Sequence, residues 1–492
     1  MSSLLTWLEQ RTGLVSLTTE FLTEDVPGGA SYWYVFGSAT LFAMILQIVT
    51  GIFLTFYYAP SAASAWESTQ YIYKDVPLGL FVISLHYWGA TAMIALVFLH
   101  LLQVLVWGSY KAPRELQWVV GVLLLVFTMV LGLTGYLLPW DLNAYFASQV
   151  AINIAASVPI IGQPIYQFLA DGTSLGTLTI NRFFGLHVWA MPALLILLTV
   201  AHLVFFRHNG SAGPPTDEDV RKLPQGRFWP NQMFMDAVAS FVVFAIIVAL
   251  AIFSPPALDQ KADPTRLFTP YPAWYFLALY GLLRVAALFP HDIAPIANLF
   301  ATVLIPGILV TVLILLPFID RNPSRRIKRR PWVMGITAVS IIAAIGLSVY
   351  SQLKIMEEQA SMPALPPPAA VAAAPGTESS PGATTTDKGA QIFATNCSGC
   401  HGATGQGVPG SFPPLAGNPY VTGDPKAVIH TVLYGLTGAI TVKGGTYNGQ
   451  MPPWKGTLSN ADVANVISYI RSGLAGNSAS KVTESDVAAV AK

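Results

Sequence analysis

Residues 80–107 read LFVISLHYWGATAMIALVFLHLLQVLVW, and residues 180–206 read INRFFGLHVWAMPALLILLTVAHLVFF. The first run contains no Asp, Glu, Lys or Arg, and the second only Arg182 near its start. Each exceeds the roughly 20 apolar residues that a helix needs to cross a bilayer. Each also carries two histidines, His86 with His100 and His187 with His202. Ionisable side chains inside a membrane helix are expensive and mark function by default. The first pair is 14 residues apart and the second 15. At 3.6 residues per turn these are about 3.9 and 4.2 turns, so each pair faces one way, the second with a small drift. The rise between partners is about 21 Å.

The same interval recurs in glycines. Gly37 and Gly51 lie in one apolar run, Gly121 and Gly135 in another, each pair 14 apart. Glycine lets a backbone come close to a flat group. One membrane histidine, or one glycine pair, is ordinarily explained by helix packing. Four histidines at two matched depths, beside two glycine pairs of equal spacing, point to two haems, because imidazole is a common axial ligand of haem iron.

The chain around these runs is 53% hydrophobic and 10% charged over 492 residues, against roughly 25% charged in soluble domains. Lipid is its main solvent. A net charge of +1 leaves no basic footprint for nucleic acid. Seven spans are expected, at 32–58, 80–107, 118–138, 180–206, 233–253, 296–318 and 332–353. Basic residues gather after the even ones: Lys111 and Arg114; Arg207, Arg221, Lys222 and Arg227; and six between Arg321 and Arg330. By the positive-inside rule these loops face the cytoplasm, so the N-terminus lies inside and the C-terminus outside. His86 and His187 then form an outer pair, His100 and His202 an inner pair. No cleaved leader is expected at the N-terminus; Leu4, Leu5, Trp7 and Leu8 predict a helix on the membrane surface. The stretch 141–179 predicts short surface helices.

Beyond 353 a polar step gives way to an Ala/Pro-rich linker. Cys397-Ser398-Gly399-Cys400-His401 then forms a CxxCH haem-attachment sequence. Two thioethers fix the porphyrin and His401 ligates the iron. No second cysteine pair exists to complete a zinc site. Met451 is the candidate sixth ligand. The expected organisation is an interfacial segment (1–31), a four-helix dihaem domain (32–228), a three-helix domain with a loop (229–355), the linker (356–386), a haem c domain (387–476) and a disordered tail (477–492). The fold class is an all-α membrane protein of seven helices, plus a small all-α domain.

These residues resemble the cytochrome b of Rieske–cytochrome b complexes, over about residues 1–350. The four histidines with the wider second spacing, the glycine pairs and Gly135-Tyr136-Leu137-Leu138-Pro139-Trp140-Asp141 carry the likeness, as does Arg207 with Gly210-Ser211-Ala212-Gly213-Pro214. The likeness is strongest to the split bf type, whose two parts are joined here. The C-terminal domain resembles a class I cytochrome c. The resemblance implies two haems b, one haem c and quinol as substrate. It implies a quinol site between the Pro139–Asp141 turn and a loop carrying Pro272, Trp274 and Tyr275. It further implies a Rieske iron–sulfur partner, a cytochrome c or terminal oxidase as acceptor, a homodimer in the bacterial inner membrane, and proton translocation. Two departures stand out. The family's Pro-Glu-Trp-Tyr is here Pro272-Ala273-Trp274-Tyr275, and alanine cannot take a quinol proton; Tyr275, Asp259, Asp263, Asp292 and His291 are the possible replacements. Val35 stands where bf complexes carry a haem-bearing cysteine, so no such haem is expected. Ala273 also keeps open a second reading, a haem-bearing electron conduit without a working outer quinol site.

Overall fold

The structure is a computed structural model. It describes residues 3–170, 175–264, 268–290, 293–361, 385–397, 401, 405, 407, 412–436, 438, 440–447, 451, 453–455 and 458–491. The chain forms two compact units, Met1–Leu365 and Pro366–Lys492.

Among its described residues the first unit contains seven helices long and apolar enough to cross a membrane: Tyr32–Thr55, Gly79–Trp107, Glu115–Tyr136, Thr177–Asn209, Phe228–Phe253, Ile296–Ile319 and Pro331–Ala360. The chain is therefore a multi-pass membrane protein. The first span packs along the second, the third along the fourth, and the fifth against the first two. Between the third and fourth lie the helices Leu142–Ala156 and Gly162–Leu169. At the N-terminus, the helix Ser3–Thr12 leaves Leu4 and Trp7 exposed. Asp25–Pro27 then pairs antiparallel with Gln225–Arg227, tying the entry of the first span to the entry of the fifth.

The seventh helix runs past the polar step at Lys354. Lys354 pairs with Glu357 at 2.7 Å, and Arg284 holds Glu358 through two bonds of 2.6 and 2.8 Å. Those pairs let a charged end stay helical. Most of the linker, 362–384, lies outside the described residues.

The fourth span carries a local widening. At Leu186–Ala190 the helix opens into a π turn, with the Met191 N–H donating to the Leu186 carbonyl. Pro192 follows and has no N–H for residue 188. Such a turn accommodates one residue more than a regular one. His187 and His202, 15 apart, thereby return to the register of the 14-residue pairs. The drift expected for a regular helix is taken up by the wide turn.

The ends of several spans are joined by buried and half-buried cations. Lys111 Nζ sits 2.6 Å from Asp320 Oδ2, each side chain 9% exposed. Arg330, 2% exposed, donates to the Leu105 carbonyl at 2.8 Å, and Arg325 to the Gly213 carbonyl at 2.8 Å. Arg114 donates to the Asn209 carbonyl at 3.1 Å. Arg330 and Arg114 place positive charge on carbonyls at helix C-terminal ends, where the dipole favours a cation.

The second unit packs Thr385–Asn396 across Asn460–Ser472. A Cβ at Gly389 would lie 2.2 Å from the Asn465 carbonyl oxygen, so only glycine permits this crossing. Phe393, Ile429, Leu433, Val463 and Ile467 form the core. A short hairpin, Ile440–Val442 with Gly445–Tyr447, adds to the helices. The tail differs from the disorder expected of it. Glu484–Val490 is a helix, and Val482 and Val487 are buried in the core. Thr483 and Asp486 form its capping box, a start signal present in the sequence.

Asp320→Ala leaves the Lys111 ammonium without its carboxylate in a buried place, and should destabilise the first unit by on the order of 3 kcal/mol. Lys354→Ala breaks an exposed pair and should change stability by no more than about 0.5 kcal/mol. Thermal unfolding of the purified membrane protein checks both; equal midpoints for the two variants would contradict the assignment.

Candidate functional site

The four histidines meet in two layers. His86 of the second span faces His187 of the fourth, with ring centroids 6.2 Å apart and planes at 76°. His100 faces His202 at 6.5 Å and 80°. Two imidazoles bonded to opposite sides of one metal ion, each at about 2.0 Å through one nitrogen, place their centroids about 6.4 Å apart. Among the described residues no cluster of three or more His, Cys, Asp or Glu offers a metal site. Two imidazoles alone leave an ion short of ligands, whereas a haem macrocycle brings four nitrogens of its own. The donor set and the gaps therefore fit haem b at both levels.

Each glycine seats one of these rings. A Cβ at Gly51 would lie 3.3 Å from His86 Cε1, and one at Gly37 3.4 Å from His100 Cε1. One at Gly121 would lie 3.2 Å from His202 Cε1, and one at Gly135 only 2.5 Å from His187 Cε1. The 14-residue interval in the first and third spans thus repeats the interval of the rings they receive. Glycine here makes room for the imidazole edge as well as for any macrocycle. Arg207, one turn beyond His202, is ion-paired with Glu24 and lies over the Phe21 ring at 5.0 Å, which fastens it to the N-terminal segment.

Two further threonines touch the histidines and were not singled out by spacing. Thr50 Oγ1 lies 2.9 Å from His86 Nδ1, and Thr134 Oγ1 3.2 Å from His187 Nδ1. Each immediately precedes a glycine of the pair at that level, a repeat that was available in the sequence.

The turn and loop of the expected quinol site are brought together. Trp140 adopts φ 53° and is buried, with its ring 5.3 Å from that of Tyr145. Its carbonyl accepts from the Ala262 N–H at 3.0 Å, and the Leu142 N–H donates to the Gln260 carbonyl at 2.8 Å. Tyr136 Oη donates to the Tyr271 carbonyl at 2.8 Å, and the Tyr271 N–H to Asn143 Oδ1 at 2.9 Å. Pro272 is thereby fixed at the end of the third span. A Cβ at Gly132 would lie 2.9 Å from Tyr275 Oη, so Tyr275 reaches the third span one turn from Gly135. Trp274 stays about half exposed, its ring 5.6 Å from that of Tyr275.

Ala273 opens the Trp274–Phe276 turn and contributes a methyl group. Asp141 and Asp259 are carboxylates bonded into this turn and loop. Asp141 Oδ1 accepts from the Ala144 N–H at 2.8 Å and Oδ2 from the Asp259 N–H at 3.4 Å. Burial pushes the Asp141 carboxyl up to about 6, with the Asp259 charge adding to it. Tyr271 Oη donates to Asp259 Oδ2 at 3.1 Å. His291 and Asp292 lie outside the described residues.

In the second unit, His401 is buried and its Nδ1–H donates to the Pro413 carbonyl at 2.9 Å, which leaves Nε2 for a metal. Burial lowers its basicity, against the Pro413 bond. Cys397 and Met451 both pack against the core, and Met451 exchanges two backbone bonds with Leu436. Cys400 lies outside the described residues. A buried neutral imidazole beside a cysteine fits a covalently held haem.

Comparison with known proteins points to one family. The Cytochrome b/b6/petB family matches residues 21–210, the Cytochrome b(C-terminal)/b6/petD family residues 261–364, and the Cytochrome c family residues 386–473. A cytochrome b of Allochromatium vinosum is 31% identical over 70% of this chain and 88% of its own length. The menaquinol:cytochrome c reductase cytochrome b subunit of Geobacillus thermodenitrificans is 41% identical over 44% of this chain and 99% of its own. A solved hyperthermophilic respiratory complex III superposes with TM-score 0.62 at 26% identity, over 73% of this chain and 92% of that one. With both halves of the helical unit matched and a haem-binding domain following, the chain belongs to the cytochrome b family of bc-type complexes, in a form that carries a cytochrome c domain at its C-terminus.

Proposed function

We propose that this chain is the redox subunit of a quinol:cytochrome c oxidoreductase, with two haems b and one haem c. The observation that carries the reading is the pair of histidine layers, with gaps of 6.2 and 6.5 Å that suit one iron each. His86 with His187 would hold the outer haem and His100 with His202 the inner one. Cys397 and Cys400 would bind the third through thioethers, with His401 and Met451 as axial ligands. When bound, these groups pass single electrons across the membrane and outward.

The chain's own residues supply position and environment. Tyr136, Asn143 and Tyr271 hold the Pro272–Tyr275 loop against the Pro139–Asp141 turn, where a quinol would bind. Tyr275 lies between that loop and the third span. Ala273 cannot accept a proton, and Asp259 takes that role here. Its Oδ2 is already joined to the loop through Tyr271 Oη, and the residue is partly exposed. A Rieske protein would take one electron from quinol, a haem c held by Cys397, Cys400, His401 and Met451 would supply the path for that electron to a cytochrome c or terminal oxidase, and protons would leave on the outer face. The basic loops put the N-terminus in the cytoplasm and the cytochrome c domain on the periplasmic side of a bacterial inner membrane, in a homodimeric complex. Ala273 favours one other reading, an electron conduit with intact haems and no outer quinol site.

Pyridine haemochrome analysis should give two haems b to one haem c, and His100→Ala should leave one b to one c. Retention of both b haems in that variant would overturn the pairing. The purified complex should reduce cytochrome c with quinol and stop with outer-site inhibitors; intact haems without that activity would establish the conduit. Asp259→Asn should slow reduction of the b haems by quinol about a hundredfold, whereas Asp263→Asn should leave it within a factor of two or so. Equal rates for the two variants would dismiss Asp259 as the proton acceptor.

A further inference from the structure

The two histidine layers differ in how the far side of each ring is held. At the His86 level both outer nitrogens have partners. His86 Nδ1 meets Thr50 Oγ1 at 2.9 Å, and His187 Nδ1 meets Thr134 Oγ1 at 3.2 Å and the Leu131 carbonyl at 3.1 Å. The helices fix the direction of these bonds. Thr50 donates its hydroxyl proton to the Leu46 carbonyl at 2.7 Å, and Thr134 donates to the Val130 carbonyl at 2.9 Å. A hydroxyl has one proton, so each threonine oxygen offers the histidine a lone pair. The hydrogen then sits on Nδ1, and Nε2 is free for the iron. Both threonines are buried, so water does not compete.

At the other level the equivalent positions, before Gly37 and Gly121, are Phe36 and Val120. Neither side chain can accept a proton. His100 Nδ1 and His202 Nδ1 are buried with no hydrogen-bond partner among the described residues. The Gln117 carbonyl, the counterpart of Leu131, lies near His202 without completing a bond of normal length and angle.

We propose that Thr50 and Thr134 are tuning residues of the site, which make His86 and His187 stronger electron donors than His100 and His202. A bond accepted from the outer N–H of a metal-bound imidazole raises its basicity, and a more basic axial ligand favours the oxidised iron. The iron held at the His86 level is then the harder of the two to reduce, and an electron arriving there moves downhill to the His100 level. No proton is transferred; the bond only polarises the ligand. The inference rests on the haem reading of the four histidines given above.

Potentiometric titration of the b-haem absorbance in the purified full-length protein tests it. The unaltered chain should show two waves. Thr50→Val and Thr134→Val should each move the lower-potential wave upward, the double variant further, with the higher wave in place. Thr50→Ser, which keeps the hydroxyl, should return the wave to its original position. Thr50→Ala removes the hydroxyl with less bulk and reads the same shift where valine hinders haem loading. An unmoved lower wave with full haem content, or a shift confined to the higher wave, would sink the role of the threonines alone. A chain without b haem would sink the histidine reading with it.

Discussion

Two imidazoles facing each other across about 6 Å, twice, inside a membrane is the constraint that the rest of the helical unit serves. An isolated polar ring in hydrocarbon has no water to satisfy it. It must be held by neighbouring backbone, and it must keep its inner nitrogen bare. Gly37, Gly51, Gly121 and Gly135 provide the space; a Cβ at Gly51, Gly121 or above all Gly135 would press on a ring carbon, and one at Gly37 would touch it. The wide turn at Leu186–Ala190 provides the register, since a regular helix would rotate His187 away from the line set by His202. Thr50 and Thr134 orient two of the four rings.

Such placement demands rigid spans, and the rigidity is anchored at their ends. Lipid lies against most of the helix surfaces, so apolar burial alone does not fix their relative height. Arg330, Arg325, Arg114 and Lys111 do so by reaching carbonyls and a carboxylate at the ends of neighbouring helices. The basic residues that report topology are thus structural as well. At the opposite ends, the turn at Trp140 and the strand-like contact with residues 260–262 close the loop over the third span. Asp141 both starts a helix and supports Asp259, so the acid that shapes the turn also fixes an acid bonded to the altered loop through Tyr271.

The cytochrome c unit follows different rules, those of a small water-soluble core. Its two longest helices cross at Gly389, and the core is completed from the C-terminal tail. Val482 and Val487 are short apolar residues in a polar stretch, and their burial could not be weighed without the surfaces that receive them.

Much of the site was legible in the sequence because membrane physics is one-dimensional. Length and hydropathy locate a span, and a period of 14 residues puts two side chains on one face whatever surrounds them. His86, His100, His187, His202 and CxxCH needed nothing more. The tertiary structure decided which glycine receives which ring, how a 15-residue interval matches a 14-residue one, and which outer nitrogens find a hydroxyl. It also decided that Asp259 is bonded, through Tyr271, to the loop containing Ala273. These depend on contacts between helices and loops far apart in the chain, down to a few tenths of an ångström, and no local pattern of residue types encodes such distances.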